Sequence, residues 1–322
     1  SVRVFVRDQK KAQSNSWASS VEIATGNASD YQSTLKALNG IHTAYYLLHS
    51  INVATDFGDI ESAMARSFAL ASEAAHVAQI IYLGGIANDE NRSRHLLSRM
   101  NTGIELASTS VPVLELRAGI IIGSGSASFE MLRHLTHRLP IMTTPKWVSN
   151  RTQPIAIRDV LYYLRNVANL KEPQNRVCDI GGPEVMSYAD MMQKFANIAG
   201  LPKRMIIQVP VLTPKLSSLW IGFVTPVPTS LARPLVESLI SEVVADPRKS
   251  INDLIPVPSE GLLTVSQAIN LALTRTAENS VSTRWSDAAF PTAPWQKAQS
   301  DPDWAGELTL KDHREITTDV PL

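Results

Sequence analysis

The sequence predicts an α/β protein built on a parallel β-sheet with helices on both faces. Short apolar runs alternate with longer amphipathic stretches, the order expected when each strand is followed by a crossover helix. Several of these runs are apolar on both faces, as expected for strands that helices cover on two sides. The predicted strands are residues 2–6, 21–24, 43–48, 79–83, 113–122 and 176–180.

Helices are predicted between these strands. The helix over residues 30–38 ends at Asn39-Gly40, a common C-terminal stop. The clearest helix covers residues 56–75, where Asp56 can cap the N-terminus, and another covers residues 92–107. The side chains of the clearest helix form one apolar stripe, which comprises Phe57, Ile60, Met64, Phe68 and Ala71.

The regular alternation of apolar runs and amphipathic stretches ends after residue 180. Ser187 is a candidate N-cap for a helix that runs to Ala199 and stops at Gly200. Residues 205–240 are apolar and interrupted by prolines, which predicts short helices and turns that form a cap over the carboxyl edge of the sheet. We therefore expect a parallel-sheet domain over 1–180, a cap lobe over 181–282, and a linker or the start of another domain over 283–322.

Composition excludes several classes of partner. The chain has 30 basic and 30 acidic residues, so no nucleic-acid partner is expected. Residues 205–240 have no basic polar face, and no run of about 18 apolar residues occurs, so neither a membrane-surface lobe nor a spanning helix is expected. The single cysteine, Cys178, lies in an apolar run that predicts a buried strand thiol, and the scarcity of cysteine fits a reducing, cytoplasmic location.

The ends of the predicted strands carry the candidate binding residues. In open parallel sheets, ligands bind at the carboxyl ends of the strands, and the second strand of a dinucleotide-binding sheet ends beside the adenosine ribose. Arg7 there would pair with the 2′-phosphate of NADP, and Asp8 would accept a hydrogen bond from the ribose hydroxyl of NAD. The other strand-end candidates for contacts to the cofactor are Gly26, Asn27, Leu48, His49, Leu83, Gly84 and Gly85.

The order and spacing of these segments resemble an atypical, extended-like short-chain dehydrogenase/reductase of the NmrA-like and epimerase-like branch. The resemblance covers residues 1–275, and residues 300–306 resemble the start of a second domain of unknown function. The segments that carry it are Val6-Arg7-Asp8, Ala44 to Ser50, Ile81 to Gly85, Leu116 to Gly123, Pro154 to Val160 and Asp179 to Glu184.

The resemblance implies a Rossmann-like sheet and a cofactor, NADP or NAD. It also implies a first strand and a Gly-x-x-Gly-x-x-Gly turn upstream of Ser1. That unit would be missing here, so we expect weak dinucleotide binding or none. By the same resemblance, the strand that ends at Ala118, Gly119 and Ile120 contacts the cofactor, and the loop residues Gly123, Ser124 and Gln153 face the substrate.

The catalytic Tyr-x-x-x-Lys pair of the resembling family is replaced. The matching positions are His95 and Arg99, and Arg99 keeps a positive charge but cannot lose a proton at working pH. His95 is a candidate proton shuttle, with a helix-surface histidine as the simpler interpretation. Tyr82 is a further candidate donor, although its place inside a strand also predicts a core residue.

Two classes of function stay open. The first is an NAD(P)H-dependent oxidoreductase acting on a small molecule. The second is a non-catalytic module, either sensing dinucleotide or docking to a protein, and an accessory role at a membrane complex rests on analogy alone. A metal site is not predicted, because His134 and His137 share a helix face with no acid identified beside them.

Overall fold

A computed structural model describes residues 1–48, 57–87, 94–208 and 236–277. The strands of its four-stranded sheet and of one parallel pair are β1 (Arg3–Val6), β2 (Glu22–Thr25), β3 (Thr43–Tyr46), β4 (Gln79–Gly85), β5 (Val113–Ala118) and β10 (Arg176–Ile180). Four of them form one sheet in the order β10-β5-β4-β3, and β1 and β2 form a separate parallel pair. Within the described residues, β1 pairs with β2 alone and β3 pairs with β4 alone.

The described residues also form eight α-helices. They are α1 (Gln9–Gln13), α2 (Tyr31–Leu38), α3 (Phe57–Ala74), α4 (Arg94–Leu106), α5 (Ala127–Arg138), α6 (Ile157–Val167), α7 (Tyr188–Ile198) and α8 (Val265–Ala277). One core cluster packs α2 and α3 against β3 and β4, and a second packs α6 against β5 and β10. The predicted doubly wound parallel architecture is therefore confirmed.

The two-stranded sheet lies beside helix α2. Arg3 donates from Nη1 to the carbonyl oxygens of Ala37 and Asn39, at 2.9 and 2.7 Å, where α2 ends. Helix α2 in turn packs on α3, which covers β3 and β4. The β1–β2 pair is thus held on the β3 side of the larger sheet, with one edge of β1 and one edge of β3 unpaired in the described chain.

A third core cluster lies beyond the sheet and joins residues from both sides of position 180. It draws on α5, α7 and α8, and on short strands that pair among themselves. These strands are β6 (Ile121–Ile122) with β9 (Ile155–Ala156), β7 (Ile141–Thr144) with β12 (Met205–Gln208), and β8 (Arg151–Thr152) with β11 (Met186–Ser187).

The predicted helix ends agree with the structure. Asp30 caps α2 by accepting from the Ser33 amide, and Ser187 forms a capping box with Asp190 at the start of α7. Gly40 and Gly200 adopt positive φ angles of 74° and 68° after α2 and α7. In α3, Phe68 and Ala71 are buried as predicted, but Ile60 is exposed. The predicted cap Asp56 lies outside the described residues.

Two predicted segments were wrong. The strand predicted over 113–122 ends at Ala118 and resumes as β6, because the chain leaves β4 and pairs with β9 instead. Residues 205–208 form β12, paired in parallel with β7, where turns and short helices were predicted. The proline-rich stretch 209–235 and the predicted linker lie outside the described residues.

Cys178 is a buried strand thiol, as predicted, and burial raises its pKa. None of the described helices is both long and apolar enough to cross a membrane.

Candidate active site

A cavity of about 310 Å³ opens at the carboxyl ends of β4 and β5. Residues at these strand ends form one part of the lining, and the other part includes residues of the third core cluster. The strand-end residues that line it are Leu83, Gly84, Gly85, Ile86, Ala118, Gly119, Ile120 and Ile121, and the opposite wall includes Ser126, Ser128, Met131, Tyr188, Ser238, Leu239 and Val243. Leu96 and Arg99 of α4 complete the lining.

The structure brings one group of predicted cofactor residues to this cavity, namely Leu83, Gly84, Gly85, Ala118, Gly119 and Ile120. Gly84 also has a packing role that the sequence did not reveal. A Cβ added there would lie 2.6 Å from Oε1 of Glu115, so a carboxylate of the neighbouring strand uses the vacant space. A Cβ at Gly119 would approach Val243 Cγ1 to 3.1 Å. Both glycines therefore allow close packing as well as exposing backbone to the cavity.

A second group of predicted cofactor residues lies on the β1–β2 pair and outside the cavity lining. Asp8 caps α1 by accepting from the Lys11 amide at 3.1 Å, and Asn27 accepts from the Ser29 amide at 3.0 Å. A Cβ at Gly26 would lie 2.7 Å from the Phe5 ring, which explains the glycine by packing. Arg7 is exposed just beyond β1.

The remaining predicted cofactor residues follow β3. Leu48 is 39% exposed and is not part of the described cavity lining. His49 lies outside the described residues.

Tyr82 and Arg99, two of the predicted catalytic residues, contact each other. The Tyr82 ring is fully buried, its hydroxyl donates to the Arg99 carbonyl oxygen at 2.9 Å, and the Arg99 guanidinium lies 5.0 Å from the ring centroid. Burial raises the pKa of Tyr82 to about 12, although the Arg99 charge opposes this rise. Arg99 also donates to the Leu83 carbonyl oxygen at the end of β4.

The predicted catalytic residues differ in whether they reach the cavity. Arg99 lines the cavity and braces β4, whereas Tyr82 is not part of the described lining. His95 is on α4, and its side chain lies outside what the structure describes.

The predicted substrate loops lie close to the cavity but contribute different side chains. Gly123 and Ser124 are not part of the described lining, and Ser126 and Ser128 at the start of α5 take that place. Ser126 is the N-cap of α5 and accepts from the Phe129 amide at 3.2 Å. A serine before an amphipathic stretch is a helix-start signal, so Ser126 could have been found from the sequence.

Gln153 ties three segments together. Its Nε2 donates to the Gly182 carbonyl oxygen at 2.7 Å, and its Oε1 accepts from the Ala245 amide at 3.1 Å. The backbone amide of Gln153 donates to the carbonyl oxygen of Val243, which is a residue of the cavity lining. Both polar groups of the Gln153 side chain are thus hydrogen-bonded to backbone groups, and the residue holds the segment around Val243 against the cavity.

Buried charges lie behind the strand ends. Arg117 holds the Glu115 carboxylate through Nε at 2.8 Å and Nη2 at 3.2 Å. Asp179 accepts from the Asp246 amide at 2.9 Å, and burial raises its pKa, against the opposing effects of that hydrogen bond, Lys249 and Arg117. Asp159, fully buried, binds Arg158 and the Leu263 amide.

The histidine pair of α5 has an acidic neighbour after all. Glu130 is one turn before His134, and its Oε2 lies 3.6 Å from His134 Nε2. The expectation that no acid stands beside these histidines was wrong, because the partner precedes them on the helix. Glu130 also binds Arg133, and no group of three or more metal-ligating side chains occurs in the described part of the chain.

Comparisons with known proteins identify the fold. No protein-family model matches the chain, and no curated protein matches its sequence. Among solved structures, the chain is similar to triphenylmethane reductase of Citrobacter sp., at 16% identity over 84% of this chain and 90% of the reductase, with a TM-score of 0.64.

Two further structures have similar scores. An NADPH-dependent quinone oxidoreductase of Escherichia coli has 16% identity over 83% of this chain and 88% of its own, with a TM-score of 0.63. A nucleoside-diphosphate-sugar epimerase of Staphylococcus aureus has 13% identity over 83% and 90%, with a TM-score of 0.64. The chain has the Rossmann-like fold of these proteins. The resemblance predicted from the sequence is therefore confirmed as a likeness of fold.

Proposed function

We propose that the chain belongs to an NAD(P)H-binding oxidoreductase of the atypical short-chain dehydrogenase/reductase type, acting on a small molecule in the cytoplasm. The observation that carries the proposal is the cavity at the carboxyl ends of β4 and β5, where a sheet of this kind binds its ligands. The reductase and the quinone oxidoreductase described above have also been solved with NADP(H) and NADPH.

The residues present fit the nicotinamide end of such a cofactor. Gly85 and Gly119 expose backbone to a mostly apolar cavity, and apolar walls with a few polar groups are typical of cofactor pockets. When bound, the cofactor would supply the hydride. Arg99 would stand beside it as a fixed positive charge, held by the Leu83 carbonyl oxygen.

NADP is the favoured cofactor. Arg7 lies exposed beyond β1, where a guanidinium can pair with a 2′-phosphate, and Asp8 beside it already caps α1. NAD is the alternative cofactor, and the relative affinities for NADPH and NADH distinguish the two.

We further propose that tight binding needs the strand and glycine-rich turn that the resemblance implies. In the described chain, β1 and β3 each have one unpaired edge, and one more strand between them would pair with both. A glycine-rich turn after that strand would bring the cofactor pyrophosphate onto a helix N-terminus.

The second candidate is a non-catalytic dinucleotide-sensing or protein-docking module. The contact between Tyr82 and Arg99 favours it, because the tyrosine hydroxyl is bonded to helix backbone and the arginine braces a strand. Neither group then offers a proton to a substrate.

Titration of NADPH and NADH separates these proposals. We would measure binding by nucleotide fluorescence and thermal shift, first with this chain and then with a version fused to a strand and glycine-rich turn taken from one of the NADP(H)-binding neighbours. Binding by the fused version supports the cofactor proposal. Turnover of NADPH with a panel of carbonyl and quinone acceptors then supports the oxidoreductase, and binding without turnover supports the sensor. Failure of both versions to bind would overturn the cofactor proposal.

A further inference from the structure

Arg99 is the one charged side chain in the described lining of the cavity. Its Nη2 donates to the Leu83 carbonyl oxygen, and Leu83 also lines the cavity, so this hydrogen bond places the guanidinium at the cavity wall. A charge at the edge of a mostly apolar space is unfavourable unless a group of opposite charge lies close to it. The charge of Arg99 therefore favours an anionic group in the cavity.

Most of the N–H groups of Arg99 are unused. A guanidinium carries five of them, and the described chain supplies one acceptor, the uncharged carbonyl oxygen of Leu83. The Nε and Nη1 atoms have no acceptor in this part of the molecule, yet neither is fully buried. They can therefore donate to a ligand that enters the cavity.

The acidic side chains around Arg99 are engaged by other groups. Arg117 holds the Glu115 carboxylate by two hydrogen bonds, and Glu61 accepts from the hydroxyl of Ser98. The Tyr82 ring lies 5.0 Å from the Arg99 guanidinium carbon and is a favourable neighbour for a cation, but it carries no negative charge. Within the described residues, the positive charge of Arg99 thus has no anionic partner.

The start of α5 adds no negative charge to the lining. Ser126, the N-cap of α5, and Ser128 in its first turn both line the cavity, and the N-terminus of a helix has a partial positive charge. Glu130 follows in the same turn, but it is paired with Arg133 and is not part of the described lining. The helix end therefore acts in the same direction as Arg99.

We propose that the substrate of this cavity is a small carboxylic acid, whose carboxylate accepts from the unused N–H groups of Arg99 and whose apolar body packs against the remaining lining. One negative charge balances the one guanidinium, whereas a doubly charged phosphate would leave a charge unbalanced among apolar residues. The inference rests on the proposed function, because it names the substrate class of the same cavity.

The test uses a matched pair of probes, 2-naphthoate and 2-naphthamide, which are similar in shape and differ in charge. Their affinities are measured by isothermal titration at pH 7 for the unchanged chain and for Arg99→Met, Arg99→Lys and Arg176→Met. Arg176→Met is the matched control, since Arg176 also donates to a backbone carbonyl oxygen, that of Ser250, but lies outside the described lining.

We expect the unchanged chain to bind naphthoate about tenfold more tightly than naphthamide, the difference expected for one charge-assisted contact. Arg99→Met should remove this preference and leave naphthamide within about twofold, because the amide does not depend on the charge. Arg99→Lys keeps the charge and should keep the preference for naphthoate. Arg176→Met should change neither affinity.

Three results would overturn the assignment. They are equal affinity of the unchanged chain for the two probes, no binding of naphthoate, and an equal loss of both probes in Arg99→Met. The last result would leave Arg99 with the structural role of bracing β4 alone.

A second measurement needs no variant. Raising the NaCl concentration to about 0.5 M should weaken the binding of naphthoate to the unchanged chain and leave that of naphthamide unaltered, because salt screens the attraction between charges. An unaltered naphthoate affinity would contradict the proposed ion pair.

NADPH titration of the fused version keeps the two proposals apart. If NADPH fails to bind while naphthoate keeps its dependence on Arg99, the cofactor proposal alone is removed. If NADPH binds while the two probes have equal affinities, the Arg99 assignment alone is removed.

Discussion

The carboxylate of Glu115 occupies the space beside Gly84 in which a side chain would stand. A Cβ at Gly84 would lie 2.6 Å from Glu115 Oε1, and a Cβ at Gly103 of α4 would lie 2.6 Å from Oε2 of the same carboxylate. Arg117 holds both oxygens by hydrogen bonds of 2.8 and 3.2 Å. Strand β4 and helix α4 thus meet around a buried carboxylate with little room to move.

Gly84→Ala should therefore destabilise the protein. We expect the free energy of unfolding to fall by about 1–3 kcal/mol, the usual range for an added group in a packed interior. Urea unfolding measures the change. Gly58→Ala is the matched control, because a Cβ at Gly58 would meet nothing within 4 Å. Equal stability of the two alanine variants would contradict the close packing of Glu115 against β4.

Tyr82→Phe should lower stability without changing turnover. The variant loses the hydrogen bond to the Arg99 carbonyl oxygen, which is worth about 1 kcal/mol. Unfolding and NADPH consumption by the fused version are compared with the unchanged tyrosine. A collapse of the rate with unchanged substrate affinity would instead establish the sequence-based hypothesis that Tyr82 donates a proton.

Gln153→Leu should lower both the free energy of unfolding and the affinity of the cavity for its ligand. The variant leaves the Gly182 carbonyl and the Ala245 amide without their partner, at a cost of about 2 kcal/mol, and it loosens the wall at Val243. The matched control is Gln193→Leu, since Gln193 likewise bridges the amide and carbonyl of Arg204 but lies outside the cavity lining. The NADPH affinity of the fused version should fall in the Gln153→Leu variant only, and an equal fall in both would count against a supporting role for Gln153.

Asp179→Asn should change how stability depends on pH. Burial raises the pKa of Asp179 above its ordinary value of 3.8, so the proton binds more tightly to the folded than to the unfolded chain. This contribution to stability is fully present below the unfolded pKa and is lost as pH rises through the raised pKa. At neutral pH the ionised carboxylate is unfavourable, and its Oδ1 has no hydrogen-bond partner in the described chain.

The side-chain amide that Asp179→Asn introduces carries no charge and can still accept from the Asp246 amide. We expect the variant to match or exceed the thermal stability of the unchanged chain at pH 7 and to lose this advantage near pH 4. Thermal unfolding across that range measures the difference, and a variant that is less stable at every pH would refute the argument.

Arg7→Ala should reduce discrimination between the two cofactors. If Arg7 pairs with the 2′-phosphate, the fused version should lose about tenfold in NADPH affinity, the size of one charge-assisted contact, and keep its NADH affinity. Titration of both nucleotides tests this. Equal losses for NADPH and NADH would assign Arg7 a general role in the fold of β1.

The sequence by itself determined the parallel α/β class and most element boundaries. Strand β10 was predicted at its observed bounds, and the cap Ser187 and the stops Gly40 and Gly200 marked helix ends, because these signals act within a few residues of chain. The predicted strand-end residues Gly85 and Gly119 reached the cavity for a similar reason, since parallel strands bring their carboxyl ends to one edge.

Only the tertiary structure decided which side chains face the cavity and which groups they engage. Tyr188 of the third core cluster and Val243 both line the cavity beside the strand ends, although they lie far along the chain from β4. The space beside Gly84 is filled from another strand, and the Tyr82 hydroxyl is taken up by the backbone of α4. Such contacts depend on how surfaces pack across long sequence separations, and neither the helical nor the strand period of a sequence encodes that packing.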